Sequence, residues 1–162
     1  MANEALATYV QDHLAGSVVA VELLEYLAAE QAGTADEPLL ITLRRDIVAD
    51  RQELEAFMAH LGIGVSGPRQ ATAWLIEKLS ELKLRLDDPG PGALRRLEAL
   101  DAIALGIAGK QALWQALAAA AEEAPKLGRL DYARLVRRAA DQHAVVETLR
   151  LQAAKEALGT HD

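Results

Sequence analysis

The chain contains no cysteine. That excludes disulfides, thiol nucleophiles, iron–sulfur clusters and cysteine-based zinc sites together. Aromatic residues make up only 4% of it. β-branched and aromatic residues together are too sparse to build a sheet protein of this size. Positive charge is in deficit: 17 Lys and Arg stand against 24 Asp and Glu, for a net charge of −7. No basic face with interleaved aromatics exists to hold nucleic acid. Long apolar runs are missing as well, each being interrupted by charge, so no membrane span is expected. The opening residues Met1-Ala2-Asn3-Glu4 carry no basic and apolar leader pattern, and the expectation is a cytoplasmic protein.

What is present is helix-forming material. Of 162 residues, 33 are Ala and 27 are Leu, both strong helix formers. A chain of this length makes one domain with a real core. Breakers divide it cleanly at Gly33–Pro38, Gly62–Pro68, Asp88–Gly92 and Pro125–Gly128. The spacing predicts long helices over about 3–32, 38–61, 92–123 and 130–158, with a shorter one over 68–87. Asp36 is the expected N-cap of the second, with Pro38 in its first turn.

Each long segment carries an apolar stripe at three- and four-residue spacing. The second reads Leu43, Ile47, Asp50, Leu54, Phe57, Leu61, and the third Leu97, Leu100, Ala104, Ile107, Gln111, Trp114. The fourth reads Tyr132, Val136, Ala139, His143, Val146 with Glu147, and Arg150; the first Val10, Leu14, Ser17, Val21, Leu24. Four such helices make a bundle. The first and second, and the third and fourth, are joined by tight turns and form antiparallel hairpins. The crossover at about 63–91 is long enough to run the length of the bundle, which predicts an all-α, up-down-down-up order with an additional short helix in the crossover. A five-helix up-down array is the alternative. The first helix also shows a second face of Gly16, Val19, Ala20, Leu23 and Tyr26. With nothing in the chain to cover it, that face points to a homodimer, or to a protein partner.

Helix lengths, hairpin–crossover–hairpin order and polar residues at mid-helix together resemble the ferritin-like superfamily over essentially the whole chain. The resemblance implies one Glu on each of two helices and a Glu-x-x-His on each of the others, around iron or manganese. Here the motif positions read Asp50-Arg51-Gln52-Glu53 and Ala140-Asp141-Gln142-His143. Each has lost one ligand, while Ser17 and Gln111 stand at mid-height on the other two helices. No intact di-metal site and no cofactor are therefore expected, and the reading is a non-catalytic bundle that acts by association. The alternative is an iron- or manganese-binding oxidoreductase or storage protein with an atypical site, whose candidate ligands are Asp50, His143 and Glu147. Without a metal, Asp50 and His143 are expected to satisfy each other inside the bundle.

Overall fold

The computed structural model describes residues 4–65, 77 and 92–159. It is all-helical, with α1 at Glu4–Glu30, α2 at Glu37–His60, α3 at Gly92–Glu123 and α4 at Tyr132–Leu158. A single 3₁₀ turn, Pro125–Leu127, joins α3 to α4. The short helix expected over 68–87 lies outside the described residues, apart from Glu77.

Local chemistry sets the ends. Pro38 sits in the first turn of α2, where its missing N–H costs nothing. Asp36 takes the N-cap position, but its side chain makes no capping bond. The turn is tied instead by Gly33 N–H donating to Glu37 Oε2 at 2.7 Å. Helix α2 stops in a Schellman arrangement: Gly62 has φ of 69°, Gly62 N–H donates to the Ala59 carbonyl, and Ile63 N–H donates to that of Met58. Ile63 then buries against the core at 5% exposure. Asp131 caps α4, accepting from Arg134 N–H at 2.9 Å.

Two apolar clusters fill the bundle. One joins Leu23, Leu24 and Leu27 of α1 to Leu40, Leu43 and Ile47 of α2, Leu100, Ile103 and Ile107 of α3, and Val146 and Leu149 of α4. The other joins Val10 and Leu14 to Leu54, Phe57 and Met58, then Leu113, Trp114 and Leu117, then Tyr132 and Leu135. The C-terminal half of α1 therefore meets the N-terminal halves of α2 and α3 and the C-terminal half of α4. Helices α1 and α4 run one way, α2 and α3 the other. Closely packed pairs are α1 with α2, α3 with α4, and α1 with α3; α2 meets α4 more sparingly.

The stripe expected on α2 is the one that packs, but two other faces are corrected. On α1, Ala20 and Leu23 are core residues, Leu23 at 2% exposure, and Tyr26 packs against the same cluster. Most of the face expected to need a partner copy is thus covered from within the chain, while Gly16 opens onto a cleft. On α4 the buried line is Tyr132, Leu135, Ala139, Gln142, Val146, Leu149 and Ala153. It shares Tyr132, Ala139 and Val146 with the expected stripe but takes Leu135, Gln142 and Leu149 in place of Val136, His143 and Arg150, because Leu135 and Leu149 bury more apolar area than Val136 and Arg150.

Candidate functional site

Between the two apolar clusters lies a polar layer. Its centre is Asp50, 2% exposed at the middle of α2. Lys110 of α3 donates to Asp50 Oδ2 and also to Gln142 Oε1. Gln142 of α4 returns a hydrogen bond from Nε2 to Asp50 Oδ2 at 2.9 Å. Arg138, one turn earlier on α4, brings Nε to 3.3 Å from Asp50 Oδ1 as an ion pair. The same guanidinium donates to the Asp46 carbonyl at 3.0 Å and pairs with Glu53 at 3.4 Å. Arg134 completes the row, holding Glu53 through two contacts of 2.6 and 3.2 Å. A carboxylate this buried is tolerable only when paired and hydrogen-bonded. Oδ2 meets both conditions, while Oδ1 has the Arg138 ion pair and no hydrogen bond among the described residues.

Burial holds Lys110 below the ordinary lysine range, while Asp50, as charge and as hydrogen-bond acceptor, pulls the other way. An ammonium has three N–H donors. Two are used on Asp50 and Gln142; the third has no acceptor among the described residues.

The candidate ligands read from the sequence separate. Asp50 occupies its expected place. The α4 residue that reaches it is Gln142, and His143, one position on, is half-buried beside it on the helix. Glu147 is held by Arg150 at 2.7 and 2.8 Å, and Arg150 reaches Asp101 at 3.2 Å. The Arg150 hydrogen bond keeps the Glu147 carboxyl below its ordinary value. Asp50 therefore pairs with Lys110, Arg138 and Gln142 rather than with His143. Among the described residues, no three of His, Asp and Glu stand close enough to hold a metal ion. Lys110 was legible in principle: it lies three residues after Ile107 and four before Trp114, on the apolar line of α3. A lysine at such a spacing reads as a flank residue, which hid it.

Beside this layer a half-open cleft of about 220 Å³ runs between α1, α2 and α3. Ile47, Leu54, Ile107 and Leu113 make its apolar walls, and Lys110 and Trp114 border it. Trp114 is buried, and its indole N–H has no acceptor among the described residues. His13, also on the cleft, stacks edge-on against Tyr9 at 4.8 Å. Burial lowers its pKa below the ordinary histidine value, against a smaller opposing effect of Asp12.

The described residues thus form an all-α four-helix bundle with a charged layer at mid-height and a cleft beside it. No protein-family model matches the chain, and neither curated proteins nor solved structures give a match. No helix among the described residues is long and apolar enough to cross a membrane.

Proposed function

We propose that the chain is a ferritin-like bundle in which an internal ion-pair network stands at the level where di-metal relatives carry ligands, and that it works by binding and association rather than by metal-centred catalysis. The observation that carries this reading is the Lys110 ammonium donating to Asp50. A divalent ion taking that carboxylate would sit against Lys110 and Arg138, two cations already in place. The opposite running directions of the α1/α4 and α2/α3 pairs support the ferritin-like order, since they fit up-down-down-up.

Elemental analysis after growth with iron and manganese available tests the reading. Substoichiometric metal is expected, together with a melting temperature unmoved by added Mn, Fe or Zn. A pair of metal ions per chain, or a metal-specific rise in melting temperature that vanishes in His143→Ala, overturns it in favour of an iron or manganese protein using Asp50, His143 and Glu147.

For association, the observation is where exposed apolar side chains gather. Leu39 and Ile41 near the start of α2, Leu94 near the start of α3, and Leu151 and Leu158 toward the end of α4 lie exposed near one end of the bundle. They are five of the eight exposed large apolar side chains among the described residues, with Tyr9, Val65 and Leu105 elsewhere. This end replaces the α1 face as the surface for a second copy.

A further inference from the structure

We propose that the cleft between α1, α2 and α3 is a binding site for a small apolar monocarboxylate, its carboxylate taken by Lys110 and its hydrocarbon part by the walls. The inference deepens the binding reading above, and metal analysis and ligand titration fail independently.

Three observations converge on it. The first is the third N–H of Lys110, which has no acceptor among the described residues, on a part-buried side chain that borders the cleft. An unspent donor on a part-buried ammonium favours an acceptor, and the space beside it is where one can enter. The second is charge. Lys110, Arg134 and Arg138 share only Asp50 and Glu53, so the connected network carries one positive charge in excess. That favours an anionic acceptor over a neutral one.

The third is shape. Gly16 of α1 and Gly106 and Gly109 of α3 all line the cleft, and a Cβ added at any of them would meet nothing within 4 Å. Their missing side chains widen the space between the helices. A dry cavity of about 150 Å³ lined by Leu, Ile and Phe holds benzene. By that measure the 220 Å³ here suits a molecule of about nine or ten heavy atoms. Two carboxylates also line the cleft, Asp12 and the Lys110-paired Asp50, and both oppose an anion and so limit its affinity.

Octanoate is the probe, with octanol as its neutral counterpart and octylammonium as its cationic one, each titrated calorimetrically into the full chain. Saturable octanoate binding is expected, about tenfold tighter than octanol and tighter still than octylammonium, corresponding to a single charge-assisted contact. Lys110→Met should remove the preference for octanoate over octanol while octanol still binds. Gly109→Leu, whose Cβ would meet nothing within 4 Å and whose side chain would enter the cleft, should abolish binding of both in a folded protein. Asp12→Asn should tighten octanoate. Should Lys110→Met fail to fold, the octanoate-to-octylammonium ratio in the wild type and the loss of binding in Gly109→Leu decide the matter. No saturable binding of octanoate, equal binding of octanoate and octanol by the wild type, or binding unchanged in Gly109→Leu overturns the proposal.

Discussion

At the scale of single residues, the stability of this bundle hinges on how Asp50 and Lys110 answer one another. Removing one member of a buried pair leaves the other charge uncompensated, at about 3–5 kcal/mol. Asp50→Ala is therefore expected to lose about that much in urea denaturation, since it strands the Lys110 ammonium and loosens Arg138. Replacing both by apolar residues of similar size, Asp50→Leu with Lys110→Met, should recover most of the loss. A double variant as unstable as the two losses combined would show that the pair is not coupled. The same lysine makes a pH prediction. Burial places its folded-state pKa below the ordinary 10.5, so between those two values the unfolded chain binds the extra proton and stability rises with pH. Tyr132 acts oppositely: burial raises its pKa above 10, and its contribution falls away as pH climbs past that value. Comparing wild type with Lys110→Met cancels the tyrosine. From neutral pH toward 10.5, the wild type should gain stability relative to the variant; parallel curves would contradict the assignment.

Elements were more legible than the faces they bury. Pro38, Gly62, Gly92 and Gly128 punctuate the sequence within a residue or two of the observed ends, because breakers act through backbone geometry that no distant contact overrides. Helix α2 was readable down to its buried acid, since Asp50 interrupts an otherwise Leu, Ile and Phe line. Helix α4 was not. A stripe through Val136 and His143 and one through Leu135 and Gln142 both keep three- and four-residue spacing, so periodicity alone cannot choose between them. Packing chose the leucines, and with them Gln142 rather than His143 as the partner of Asp50. Lys110 escaped for a related reason: its long stem can lie along an apolar face while its head is placed elsewhere, so its type says little about its direction. The α4 cap offers a check at this scale. Asp131→Ala removes the acceptor for Arg134 N–H and should cost about 1 kcal/mol in thermal or urea melts. A change near zero would mean that water serves the helix end equally well.

For the whole molecule, the exposed apolar end should govern assembly. Light scattering coupled to size exclusion is expected to show a dimer, and the pair Ile41→Lys with Leu158→Lys a folded monomer. A wild-type monomer at high concentration would refute the second-copy assignment. The charged layer at mid-height also divides what the bundle can do in time. It separates the apolar interior into two cells: one reaching Leu27 and Leu40, the other reaching Phe57 and Trp114. Side chains within each cell interlock chiefly with their own neighbours, and the polar seam between them can trade protein hydrogen bonds for water more readily than an apolar seam could. The two cells are therefore natural foldons: one end can open while the other stays shut, and amide protons at the two ends should exchange with solvent as two separate groups, each at its own rate.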